Sequence, residues 1–170
     1  MKVLFLGRFV PFKNPLVFVE AADRLLQHDF IMAGDGPLLQ ECEAKGKARV
    51  YFHGWTEHET AMELMEDTDV FCQLSSIENL WASALIEAMK HKKAIVCTDV
   101  GFTSKYLKNG FHMLLIPPDS PSALVKAIER LEDPVLRERL GNNAYGFVKE
   151  NMSIQKVAGE IMEAIQGVCS

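Results

Sequence analysis

Short, unbroken apolar runs recur along the chain, each closed by a glycine, a proline or a polar turn. Val3-Leu4-Phe5-Leu6 stops at Gly7, Phe30-Ile31-Met32-Ala33 at Gly34, and Val50-Tyr51-Phe52 just before Gly54. Val70-Phe71-Cys72, Ala94-Ile95-Val96-Cys97 and Met113-Leu114-Leu115-Ile116 complete the set. Runs of this length without polar alternation are the signature of strands buried on both faces. Between them lie segments of helical spacing, such as Val17, Phe18, Ala21, Ala22, Leu25 and Leu26, or Ala84, Leu85, Ala88 and Met89. Alternating strand and helix predicts an α/β domain, a doubly wound parallel sheet with helices on both faces. After Asp119 the pattern becomes helical three times: residues 122–131, which Asp119 or Ser120 would cap, residues 134–150, and a last helix opening after Ser153. That last helix places Ile154, Val157, Ala158, Ile161, Ile165 and Val168 on one stripe. No linker rich in Gly, Pro or Ser, no repeat and no low-complexity tract divides the chain, so residues 1–170 read as one domain.

Composition agrees: 170 residues are 48% hydrophobic, 24% charged and 9% aromatic, the balance of a globular domain. Eighteen basic against 23 acidic residues give a formal charge of −5 without a block of either sign, which argues against binding nucleic acid through its backbone. Cys42, Cys72, Cys97 and Cys169 stand far apart and read as reduced, mostly buried thiols of a cytoplasmic protein. The apolar run at the start is too short for a signal peptide, and no run approaches the roughly eighteen residues of a membrane span.

In an open parallel sheet ligands sit beyond the carboxyl ends of the strands, so the chemistry is sought in the loops there. The first loop carries Gly7, Arg8 and Lys13, followed by Asn14 as N-cap and Pro15 at the first helical position. Two cations beside a helix N-terminus suit a phosphate or diphosphate; the alternative is a pair of ordinary surface cations. Gly34-Asp35-Gly36-Pro37 follows the second strand, and lacks the third glycine of a dinucleotide fingerprint because Leu39 stands there. Tight turns or close approach of a ligand account for its glycines equally. His53 and Trp55 flank Gly54 after the third strand. His53 is a general base, a ring packed beside a base, or a satisfied surface histidine; Trp55 stacks on a planar ligand or caps the sheet. Beyond the fourth strand, Glu78 and Glu87 offer acceptors for sugar or ribose hydroxyls, an acid/base pair, or two solvated charges.

In order, GRFVPFKNP, IMAGDGPL, VYFHGW, DTDVFCQLSSIENLW, LIEAMKHKKAIVCTDVGF and LLIPPDSPSALVKAIERLEDPVLRERLGNNA resemble the C-terminal, donor-binding domain of the retaining family-four glycosyltransferases, of two-domain GT-B architecture. The resemblance runs from Met1 to the last helix. It implies Arg8 and Lys13 on the donor diphosphate, Glu78 on the donor sugar and Glu87 on the nucleotide ribose. It also implies Gly7, Gly34 and Gly36 near the donor, Phe52 to Trp55 (with His53 and Gly54) at the nucleobase, and amides of Asn79, Leu80, Trp81 and Ala82 around the sugar and distal phosphate. No metal and no other cofactor is implied. Eight residues rather than the family's seven separate Glu78 from Glu87, and it is Asn79 that stands at the family spacing.

The family's acceptor site lies in an N-terminal domain that this chain does not contain, which implies a missing domain or partner chain and cytoplasmic work at the inner face of the membrane. The rival readings are a GT-B nucleotide-sugar epimerase half and a non-catalytic flavodoxin-like regulatory or scaffold module; Gly7-Arg8 carries the wrong charge for the acidic cluster of a phospho-accepting regulator. Asp67-Thr68-Asp69 has the D-x-D form that holds a divalent metal in another glycosyltransferase fold, but precedes a strand and reads as a helix-to-strand turn.

Overall fold

A computed structural model of the chain describes residues 1–77, 79 and 82–151. All six apolar runs form strands: β1 Lys2–Leu6, β2 Asp29–Ala33, β3 Val50–Gly54, β4 Val70–Gln73, β5 Ala94–Thr98 and β6 Leu114–Ile116. They pair in parallel in the order β3-β2-β1-β4-β5-β6. This is the doubly wound arrangement expected, with its reversal of direction between β1 and β4. The last strand is shorter than its apolar run, because Met113 leaves the ladder to form an isolated bridge with Asn109.

The helices are α1 Pro15–Ala22, α2 Leu39–Gly46, α3 His58–Glu66, α4 Ser83–Lys90, α5 Thr103–Tyr106, α6 Pro121–Arg130 and α7 Pro134–Asn151. Alternate strand residues face opposite ways, and two cores result. Val3, Phe5, Val70, Cys72 and Val96 face Phe18 and Val19 of α1, Cys42 of α2, and Leu124 and Ile128 of α6. Leu4, Phe71, Ile95 and Cys97 face Met65 of α3, Leu85 and Met89 of α4, and Ala144 and Val148 of α7. Cys42, Cys72 and Cys97 are buried and unbridged; burial pushes the Cys42 thiol up to about 11, so it stays protonated at neutral pH. Cys169 and the stripe beyond Ser153 lie outside the described residues.

Helix ends follow local chemistry where the sequence supplies it. Ser120 caps α6, its Oγ accepting the Ala123 amide at 3.3 Å, while Asp119 turns through φ 53° just before. The D-x-D segment is the turn between α3 and β4 at the amino edge of the sheet. There Asp67 holds Lys2 Nζ, Asp69 accepts the Lys2 amide at 2.8 Å, and Thr68 Oγ1 donates to Leu64 O. Both carboxylates are spent on the start of β1. Among the described residues no helix is long and apolar enough to cross a membrane.

α7 begins against the first core through Leu140 and finishes against the second through Ala144 and Val148, passing the turn that precedes β5. Gly141 sits at that crossing: a Cβ there would stand 2.0 Å from Lys92 O. Helix propensity favours alanine over glycine by about 1 kcal/mol, but main chain cannot retreat as a flexible side chain would. Gly141→Ala should therefore lower stability by roughly 1–3 kcal/mol in urea unfolding, the cost of overpacking; a stabilised variant would show that the crossing is loose.

Candidate functional site

Residues from three strand ends converge at the carboxyl edge. Gly7 and Arg8 after β1, Gly34, Asp35 and Gly36 after β2, and Trp55 and Thr56 after β3 line one cleft of about 420 Å³, within the usual size of a small-molecule site. The loops are fixed to one another by main chain. The Gly7 amide donates to Ala33 O (3.0 Å), the Phe9 amide to Asp35 O (2.9 Å), the Leu38 amide to Phe9 O (3.0 Å) and the Gly34 amide to Gly54 O (2.8 Å). A Cβ on Gly34 would stand 1.9 Å from Gly7 O, and one on Gly36 2.6 Å from Phe9 O. Both glycines are thus required by the backbone of the first loop, whatever the cleft holds. Gly7, by contrast, has open space where its Cβ would be.

Arg8 is exposed on the rim and has no carboxylate partner among the described residues. Asp35, the acidic residue of the lining, spends Oδ1 on the Gly36 amide at 2.6 Å. Trp55 is 71% exposed beside the cleft, so it does not cap the sheet. β3 carries a bulge: Met32 pairs with Phe52 and Ala33 with Gly54, leaving His53 as the extra residue. His53 Nδ1 is buried with no partner among the described residues, and the ring stands edge-on to Tyr51 at 6.1 Å. It is therefore not the satisfied surface histidine that composition allows.

Lys13 does not line this cleft. It ends the 3₁₀ turn Pro11–Lys13, half-buried and without a carboxylate partner among the described residues, its Nζ 5.8 Å from the centre of the Phe12 ring. Burial pulls its ammonium below the ordinary lysine range. The expected cap changes role here. Asn14 does precede Pro15 at the start of α1, but in the left-handed region (φ 53°) its side chain turns away from the helix. Its Nδ2 donates instead to Leu74 O at 3.0 Å, beyond β4. The Ser76 amide donates to Phe12 O at 2.8 Å. The cation loop and the loop after β4 are stitched together across the β1/β4 divide.

Glu78, Leu80 and Trp81 lie outside the described residues. Asn79 is fully buried: its Oδ1 accepts from Gln73 Nε2 at 3.0 Å and its Nδ2 donates to Thr98 Oγ1 at 2.7 Å. Its side chain is therefore closed to a sugar, although it stands at the family spacing from Glu87. The Ala82 amide donates to Asn79 O at 2.9 Å and α4 follows with no side-chain cap. Glu87, on α4, is largely covered and pairs with Lys90 at 2.9 Å through Oε1; any contact it makes with a ribose shares the carboxylate with that lysine.

Known proteins match this chain in sequence and in fold. Residues 1–147 match the family described as Glycosyl transferases group 1. An alpha-D-kanosaminyltransferase of Streptomyces kanamyceticus is 31% identical over 152 residues, 84% of this chain and 39% of its own. A Campylobacter jejuni alpha-1,4-N-acetyl-D-galactosaminyltransferase acting on a diphosphoundecaprenol-linked saccharide is 37% identical over 152 residues, 84% of this chain and 42% of its own. The chain thus spans about two fifths of the length of these curated relatives. The Anabaena protein Alr3699/HepE, solved with UDP and glucose, shares the fold at a TM-score of 0.87 and 20% identity, over 98% of this chain and 48% of its own.

An unpaired, half-buried cation is a cost to the fold. The folded state holds the Lys13 proton less tightly than the unfolded chain, so the cost is full at neutral pH and is relieved as pH rises toward the ordinary lysine range. Lys13→Met should accordingly unfold at a higher urea concentration than the parent near pH 7, with the gap narrowing as pH rises. A lower midpoint at neutral pH would identify Lys13 as a structural cation. With fold, edge loops and sequence match in agreement, the chain belongs to the group 1 glycosyltransferase family.

Proposed function

We propose that this chain is the donor half of a retaining hexosyltransferase: it binds a nucleoside-diphosphate sugar, and a second domain or partner chain supplies the acceptor. The observation that carries the reading is the pairing of a cleft at the β1/β2/β3 edge with two cations, Arg8 and Lys13, neither neutralised by a described carboxylate. Nucleotide and diphosphate fit that order. Trp55 and Thr56 offer a wall for a base, His53 and Gly54 lie at the bulge behind it, and Arg8 stands where phosphates would leave the cleft. The first loop then leads, through the Ser76 to Phe12 bond, to the loop after β4.

In this role Glu78 accepts from donor-sugar hydroxyls and Glu87 from the ribose. During transfer the bond between the anomeric carbon and the diphosphate oxygen breaks, and its electron pair leaves with the diphosphate. Arg8 and Lys13 stabilise that growing negative charge, while the acceptor oxygen bonds the anomeric carbon from the same face and passes its proton to the departing diphosphate oxygen. The solved relative that holds UDP and glucose supports this class of ligand, and the group 1 match supports the activity.

Calorimetry of the chain with UDP, GDP and ADP in EDTA tests the binding. At least one diphosphate should bind without added metal; no heat with any of them, and binding once magnesium is restored, would overturn the metal-free reading. Arg8→Ala and Lys13→Ala should each weaken the diphosphate by about 1–3 kcal/mol, the range of a charge-assisted hydrogen bond. Unchanged affinity in both variants would place the diphosphate elsewhere.

A further inference from the structure

The sheet ends in an open strand. Among the described residues β3 pairs with β2 alone, so one rim of its main-chain amides and carbonyls faces away from the sheet. Edge strands are usually blunted by charges, a proline or a bulge, because an open rim is a template for another strand. Val50–Gly54 holds no Lys, Arg, Asp, Glu or Pro. Its bulge, at His53, leaves Val50 to Phe52 in regular register. Tyr51 is 63% exposed on this strand, its ring edge-on to His53.

Charge divides at the same strand. Ahead of it come Lys45, Lys47 and Arg49, with no acidic residue among residues 44–49; beyond it no Lys or Arg occurs from residue 50 to residue 89, and Glu57 and Glu59 are the first charges met. Lys45 is spent on Glu41 at 3.0 Å. Lys47 and Arg49 have no carboxylate partner among the described residues, and Arg49 Nε is buried with no hydrogen-bond partner there. Glu57 and Glu59 are exposed and likewise have no cationic partner among the described residues. One end of the open edge therefore keeps unspent positive charge and the other unspent negative charge.

We propose that the occupant of this edge is a second copy of the chain, β3 against β3 about a two-fold axis. Such an axis makes the two strands antiparallel and the contact the same on both copies. The Lys47 end of each copy then meets the Glu57 end of the other, whereas parallel addition would set like charge on like. Lys47 and Glu57 stand five residues to either side of Phe52, so an axis at Phe52 brings Lys47 to the partner's Glu57. It also sets Tyr51 across from the partner's His53, a cross-strand ring pair on one face. The result is a continuous twelve-stranded sheet, two sheets of six strands. Its two carboxyl edges point in opposite directions, so neither cleft faces the other and the pairing holds whatever the clefts bind.

Sedimentation equilibrium over a concentration series tests the pairing. The parent should approach twice the chain mass as concentration rises, and the dimer should weaken with added salt, since the paired ends lie in solvent. Lys47→Glu and Glu57→Lys should each raise the dissociation constant roughly tenfold or more, because the axis repeats every like-charge clash. An equimolar mixture of the two variants should recover the parent's association as a heterodimer, each reversed charge now facing a reversed partner. Circular dichroism checks that each variant is folded, and Glu59→Lys takes the place of Glu57→Lys should that variant fail to fold. A parent that stays monomeric at every concentration would overturn the proposal. So would a dimer that neither reversal weakens, or a mixture that associates no better than the variants alone.

Discussion

β1 and β4 lie side by side while the chain leaves them in opposite directions, toward β2 and β3 on one side and β5 and β6 on the other. Their pairing is short, covering Val3 with Val70 and Leu4 with Phe71. The loops beyond therefore part early, and the gap between them is made by topology rather than by any side chain. What the sequence adds is a set of bonds that keep the gap at one width. Asn14 and Ser76 span it, and the pairs around Gly34 and Gly36 hold its other wall.

This construction separates what fixes distance from what carries charge. Distances rest on main-chain hydrogen bonds and on buried amides, which are costly to break in a low dielectric. Charge rests on Arg8 and Lys13, which lack described ionic partners. On the proposed reading, the half-buried ammonium of Lys13 is the kind of locally unfavourable group that a binding site retains for its ligand.

Strands were legible because burial on both faces admits little but apolar residues, and the six runs translate into six strands with small changes at their ends. The residues of the cleft were legible too, since a parallel sheet gathers its strand-end loops on one edge. The bulge at His53 was not: one inserted residue shifts register without altering composition. Asn14 stands at the N-cap position its sequence context predicts, but its bond is not legible there, because a left-handed backbone swings the amide toward the residue after β4 instead of the helix it precedes. The burial of Asn79 is not legible because a polar residue in a loop reads as exposed unless its partners, Gln73 and Thr98, are known to lie beneath it. Glu78, proposed for the donor sugar, and the final apolar stripe fall outside the described residues.

The path of the last two described helices bears on how the chain is made. α6 lies on α1 in the first core, and α7 runs from that core to the second against α4. Arg24 bonds Ser122, His28 pairs with Glu132, and Arg137 reaches the Met1 sulfur, so the segment from Met1 to His28 is closed by residues about a hundred or more positions further along the chain. Each such contact closes a loop of about a hundred residues or more, which slows folding. During translation β1, β2 and α1 therefore leave the ribosome with an apolar face that nothing yet covers, and that face is shielded only after α6 and α7 have emerged.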